Sequence, residues 1–256
     1  MKLEAKPTKP LRILIIAAHP DDIEFGAGGS AAVWTEAGAQ VTYCLVTDGA
    51  AGSNEKDADL AQLKQRRKEE QLAAAKIVGV TDVRFLDYAD GSLQPTLELR
   101  RDLTRVIREI RPDRVVIQDP TAILLSRDED GNDGYINHPD HRATGEAALY
   151  AVFPSAETRP IFPELLEEGL EPVHIEELYL QMSDKSNIAV DITTVHDRKL
   201  QSLLSHRSQL NEEALDWVTS FDKEMGKLAG VEYAEIFRVI RFPTDRPQEN
   251  KDAPTD

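Results

Sequence analysis

The sequence predicts an α/β fold, a predominantly parallel sheet flanked by helices. Two observations carry this. Short apolar runs alternate with helix-patterned segments through the first half of the chain. The first of those runs is near-continuously apolar rather than alternating, as in a strand covered on both faces. A third observation bears on function. His19, Asp21, Asp22, Asp48 and Asp119 all fall at or just after the carboxyl ends of these runs, the edge at which open α/β sheets bind ligands.

Taken in order, "RILIIA" (12–17) is the first buried strand, and 28–37 suits a helix closed by Gly38 as its C-terminal cap. "VTYCLVTD" (41–48) is the next strand. The segment 57–79 opens with aspartates and ends at Gly79, the pattern of a long helix. "VRFLDY" (83–88) is strand-like, and 96–112 is a helix capped by Thr96 and stopped by Pro112. "RVVIQ" (114–118) makes a fourth strand. After it, 119–137 has little regular pattern and is rich in Asp, Asn and Gly, which marks a functional or disordered loop. A helix starts at "HPDH" with Pro139 in its first turn. Residues 154–173 read as surface connection, "IEELYLQM" (175–182) and "NIAVDI" (187–192) as further strands, and 195–206 as a helix. One α/β domain over 1–245 with a disordered tail at 246–256 accounts for the whole chain.

Composition narrows the function. With 41% hydrophobic and 30% charged residues the chain is an ordinary globular protein, and its net charge of −16 argues against nucleic acid or an anionic membrane as partner. The single cysteine, Cys44, excludes a disulfide scaffold and a thiolate metal site, and reads as a small buried hydrophobe. No apolar run reaches the roughly 20 residues of a membrane span, and none forms a signal peptide, so the cytoplasm is the expected location. The assembly state stays open, a homo-oligomer included.

Two readings compete for "AAHPDDIEFGAGGS" (17–30). Gly26, Gly28 and Ala31 fit G-x-G-x-x-[GA], with Asp48 where a ribose-binding acid would stand, the mark of a dinucleotide-binding oxidoreductase. Yet the segment from His19 to Phe25 intervenes between the strand and those glycines, and the acidic pair would repel a pyrophosphate. The other reading is a metal site. "NHPDHRA" supplies His138 and His141 three residues apart at a helix start, and it repeats the His-Pro-Asp of the first segment. Two imidazoles, one carboxylate and a position for water make a catalytic zinc site, with a further carboxylate and histidine left for proton transfer and oxyanion stabilisation. The same ligand types suit non-haem iron, whose enzymes commonly use double-sheet β folds. A calcium loop at "DEDGNDG" fails, because its sixth position is Asp133 and its twelfth Pro139.

"AAHPDD", "VTDG", "RKEEQLAAAKIVGV", "FLDYADG", "HPDH" and "HRSQL" together resemble the LmbE-like, or PIG-L, zinc-dependent N-deacetylases, over about 11–241. The resemblance implies a Rossmann-like sheet with additional C-terminal strands and removal of an N-acetyl group from an N-acetylglucosamine-type conjugate, a small-molecule substrate. It implies His19, Asp22 and His141 as zinc ligands, Asp21 as general base and His138 as the electrophilic or acid partner, with Arg67 and Asp90 in substrate binding. Some members of the family place a tyrosine two residues before the first His of H-P-D-H; here that position is Ile136, and Tyr135 precedes it. Specificity for the aglycone is expected in 121–137 and 153–173.

Overall fold

The computed structural model describes residues 1–5, 10–126 and 134–243; the tail at 246–256, read as disordered, lies outside the described residues. In chain order the first elements are β1 (Lys2–Leu3), β2 (Arg12–Ala17), α1 (Asp22–Gly26), α2 (Gly28–Glu36), β3 (Gln40–Thr47), α3 (Leu60–Ile77), β4 (Asp82–Tyr88) and α4 (Leu97–Ile110). There follow β5 (Arg114–Gln118), a hairpin of β6 (Leu124–Ser126) and β7 (Gly134–Ile136), α5 (Pro139–Tyr150) and α6 (Glu164–Glu167). The last are β8 (Glu177–Gln181), β9 (Ile188–Asp191), α7 (His196–Leu203), α8 (Glu212–Ala229) and β10 (Ala234–Arg241).

Among the described residues eight strands form one sheet in the order β1-β9-β10-β8-β5-β2-β3-β4. From β8 through β5, β2 and β3 to β4 every pair is parallel. The six expected strands are borne out, and β1, β10, the β6–β7 pair, α1, α6 and α8 are additions to the reading. β10, broken in sequence by Glu235, Arg238 and Arg241, inserts antiparallel between β8 and β9. Two of these charges are matched: Glu235 is buried against Lys199 at 2.9 Å, and Arg241 donates to Glu177 at 2.9 Å. The irregular stretch after β5 contains the β6–β7 hairpin, and "DIEFG" closes into one helical turn, α1.

Period-two alternation explains the continuous apolar runs. Ile13, Ile15, Tyr43 and Leu45 face one core with Ala31 and Trp34 of α2, while Leu14, Ile16, Cys44 and Val46 face the other with Leu99, Leu103 and Ala147. The chain lays β3 on one side of β2 and β5 on the other, so a crevice opens at the carboxyl ends of β2 and β5. No helix among the described residues is long and apolar enough to cross a membrane.

At the opposite end of the sheet, Glu4 accepts from Trp34 Nε1 (3.0 Å) and Tyr179 Oη (2.9 Å) and pairs with Arg114 at 2.6 Å. The Arg114 guanidinium lies over the Tyr179 ring at 4.1 Å and also pairs with Glu177. Removing one partner of such a buried group strands the rest, so Glu4→Ala is expected to cost about 3 kcal/mol. Urea unfolding measures it. A loss under about 1 kcal/mol, the level of an exposed pair, would show that Glu4 does not fasten the N-terminal strand.

Candidate active site

The crevice between β2 and β5 is filled from three directions. β2 runs into the turn carrying His19, Asp21 and Asp22; α3 lends Arg67 and Gln71; α5 points its first turn inward with His138 and His141. A cleft of about 260 Å³ is lined by His19, Asp21, Arg67, Asp90, His138 and His141, with Tyr135 and the backbone of Ala51, Gly52 and Gly91. Asp22 lies directly behind it, touching His19 and His141. All seven residues expected from sequence therefore meet in one place.

Asp22 sits between two imidazoles. Its Oδ2 is 3.2 Å from His19 Nδ1, and its Oδ1 is 3.0 Å from His141 Nε2. Oδ2 also accepts from the His19 backbone N–H (2.7 Å) and from Gln118 Nε2 (3.2 Å), while Gln118 Oε1 accepts from the Ala18 N–H across the crevice. The far nitrogens are fixed as well. Asn137 Nδ2 donates to the Ala122 carbonyl, which turns its Oδ1 toward His141 Nδ1 at 3.0 Å. His141 thus meets Asn137 through Nδ1 and Asp22 through Nε2. His19 Nε2 faces Asp90 (3.0 Å) and Asp140 (3.4 Å). Those carboxylates are themselves held: Asp90 accepts from the Ala51 N–H, and Asp140 from Gly91 and Leu93.

The electrostatics follow. Burial opposes a charge on His19, but Asp22, Asp140 and Asp90 outweigh it and push its pKa up to about 12. Burial likewise opposes ionisation of Asp22, and His141 and His19 nonetheless hold it well below the usual carboxylate range. Burial and the neighbouring Asp22 charge raise Asp21 to about 6, against the pull of Arg67. Burial, His19 and His141 lower His138. His138 caps α5, its Nδ1 accepting from the Asp140 N–H at 3.2 Å. As a neutral ring it then bears its proton on Nε2.

Two donor sets bring one ligand atom from each residue close together, His19 with His138 and His141, and His19 with Asp90 and Asp140; Asp22 in addition meets His19 through Oδ2 and His141 through Oδ1. Asp21 is held apart from these. Arg67 Nη2 donates to its Oδ2 at 3.1 Å and to the Pro20 carbonyl at 2.6 Å, and Nη1 donates to the Gly49 carbonyl. The backbone of Asp21 is strained, at φ 103° and ψ −31°, a cost of about 1–3 kcal/mol for a residue other than glycine.

Several residues found here were not singled out by sequence: Gln118, Asn137, Asp140 and Gln71. Asp140 lies inside "HPDH"; Gln118, polar at the end of an apolar strand, carried a weak signal, and the others none. The tyrosine question has a geometric answer. Alternation along β7 turns Tyr135 into the cleft and Ile136 outward, 73% exposed. Among the described residues lining the cleft none comes from 153–173, which is tied to α4 by Arg108 donating to the carbonyls of Ser155 and Thr158. The glycine fingerprint serves packing. The N–H groups of Gly29 and Ser30, where a pyrophosphate would bind, already donate to Glu235 at 2.9 and 2.7 Å. A Cβ on Gly29 would meet Ile192 at 2.9 Å, so the glycine allows close contact with the end of β9.

Known proteins identify the family. The family described as "PIG-L: GlcNAc-PI de-N-acetylase" matches residues 14–152. The chain is 32% identical to diacetylchitobiose deacetylase of Thermococcus kodakarensis, over 93% of this chain and 88% of that protein. It is 30% identical to a probable N-acetyl-alpha-D-glucosaminyl L-malate deacetylase 2 of Bacillus cereus, over 77% of this chain and 83% of that one. The solved structure of N,N'-diacetylchitobiose deacetylase from Pyrococcus horikoshii, complexed with an inhibitor, superposes with a TM-score of 0.81 at 31% identity, covering 90% of this chain and 84% of that chain. With the crevice, the paired histidine motifs and these matches in agreement, the chain belongs to the PIG-L family of N-deacetylases, hydrolases of N-acetylglucosamine-type conjugates.

Proposed function

We propose that this protein is a zinc-dependent hydrolase that converts the acetamide of an N-acetylglucosamine-type amino sugar, with one water, to a free amine and acetate, and that His19, Asp22 and His141 hold the metal. The single observation that carries the reading is the placement of Asp22 between His19 Nδ1 and His141 Nε2. Without a metal these contacts are held by ring protons; a zinc ion replacing those protons would meet His19 Nδ1, His141 Nε2 and the Asp22 carboxylate together. In a tetrahedral zinc shell the donors stand about 3.3–3.5 Å apart; Asp22 reaches the two rings through its two oxygens, Oδ2 at 3.2 Å from His19 and Oδ1 at 3.0 Å from His141. Each imidazole also gives its other nitrogen to an oxygen, as ligating histidines do.

The competing sets fit less well. His138 in its neutral form accepts at Nδ1, so Nε2 carries a proton and has no lone pair for a metal. Asp90 and Asp140 already accept backbone N–H groups and the His19 ring, the role of groups that orient a ligand.

Zinc in this site supplies Lewis acidity, polarising the carbonyl and acidifying water. Asp21 accepts the proton of the attacking water on its carboxylate and returns it toward the leaving nitrogen, with Arg67 fixing the carboxylate. His138 donates Nε2–H to the oxygen on which charge develops. Arg67 and Asp90 meet the substrate as preset groups, their positions fixed by bonds to Gly49, Pro20 and Ala51. At about 260 Å³ the cleft falls below the ~300–1,000 Å³ of drug-sized sites. It suits one sugar ring with its acetamide, the remainder lying outside.

N,N'-diacetylchitobiose incubated with the zinc-loaded protein is expected to release acetate and a primary amine in equal amounts, and a chelator to stop both. Zinc-loaded protein that releases no acetate from this or other N-acetylglucosamine conjugates would overturn the assignment.

A further inference from the structure

The "HRSQL" segment lies outside the cleft, yet it ends a buried chain of hydrogen bonds that begins at Asp21. The Asp21 backbone N–H donates to Gln71 Oε1 at 3.0 Å. Gln71 Nε2 donates to Glu24 Oε1 at 2.9 Å, and the other oxygen of Glu24 faces His206 Nε2 at 3.1 Å. Gln71, Glu24 and His206 are all fully buried. Ser208 fastens the same segment to the helix beside Gln71, its backbone N–H and hydroxyl both donating to Glu70. Gln71 and Arg67 are four apart on α3 and so share a face. One grips the backbone of Asp21 and the other its carboxylate.

We propose that Gln71, oriented by Glu24 and His206, is a positioning residue for catalysis, holding the strained backbone of Asp21 so that its carboxylate stays aimed at the reacting water. The inference rests on Asp21 being the general base. Its physical basis is that a left-handed aspartate relaxes toward an ordinary conformation unless its N–H is held. The Gln71 amide can face only one way. Reversed, its NH2 would meet the Asp21 N–H and its carbonyl the Glu24 carboxylate, two repulsions in place of two bonds. Glu24, and His206 behind it, therefore decide which end of the amide Asp21 meets.

The test compares Gln71→Met, Gln71→Glu and the double exchange Glu24→Gln with Gln71→Glu, with Asp21→Asn as reference. Each is assayed for kcat and KM on N,N'-diacetylchitobiose and for bound zinc. Gln71→Met removes the acceptor and is expected to lower kcat about 100-fold, the effect of a misplaced reacting group, with KM and zinc content little changed. Gln71→Glu sets two carboxylates against each other and loses kcat similarly. The double exchange restores most of kcat, because the carboxylate at 71 accepts from the Asp21 N–H and the amide at 24 donates to it and accepts from His206. If Gln71→Met does not fold, the isosteric single and double exchanges decide. Full kcat in folded Gln71→Met or Gln71→Glu overturns the proposal. So does a folded, zinc-loaded double exchange that stays inactive. Activity retained in Asp21→Asn instead removes the base assignment itself, a separate failure.

Discussion

Asp21→Asn is expected to lower kcat by about 10²–10⁴-fold, the usual contribution of a positioned general base, while the protein keeps its zinc. The substitution is isosteric, and the amide oxygen can still accept from Arg67 Nη2, which stands 3.1 Å from the native carboxylate. The backbone N–H still meets Gln71. What disappears is the capacity to take a proton from water. Asp21 is the carboxylate suited to that work. It lines the cleft, and its immediate partner is a guanidinium, whereas Asp22, Asp90 and Asp140 are each turned toward a histidine. Steady-state kinetics with parallel metal analysis measures the effect. Turnover within tenfold of wild type would move the base elsewhere, and loss of zinc would make Asp21 a ligand.

Asp22→Ala is expected to abolish both zinc binding and turnover. Wild type should carry about one zinc per chain, as a single three-ligand site requires, and the variant almost none. The size of the effect comes from where Asp22 stands. One carboxylate answers both imidazoles, and it also receives the His19 N–H and Gln118, so its removal takes away a ligand and the bonds that set the turn. Asn137→Ala is a graded companion. It removes the acceptor of His141 Nδ1–H without touching the ligand set, and zinc affinity should fall about 10–100-fold while saturating zinc recovers turnover. Full zinc occupancy in Asp22→Ala would transfer the metal to His19, His138 and His141, the competing cluster. His138 would then have to give up its hydrogen bond to the Asp140 N–H or its Nε2 proton.

Much of this was legible in sequence because it is local. "RILIIA" states that both faces of a strand are buried, and Ile13 and Leu14 do lie in opposite cores. Pro139 after His138 announces a helix start, and three-residue spacing turns His138 and His141 to one side. "HPDD" directly after a strand places its side chains at the carboxyl edge by chain connectivity alone. Sequence therefore determined the parallel strands, the edge of the sheet to which the motifs lead and the residue types gathered there. Tertiary structure decided the rest. Only the order of strands brings the start of α5 over the end of β2, joining residues about 120 positions apart. Only packing shows that β10, charged along its length, closes the sheet between β8 and β9. The buried polar residues Gln118, Asn137, Gln71 and His206 have no periodicity to betray them. A polar side chain inside a protein is defined by the partner that satisfies it, and that partner is chosen across space rather than along the chain.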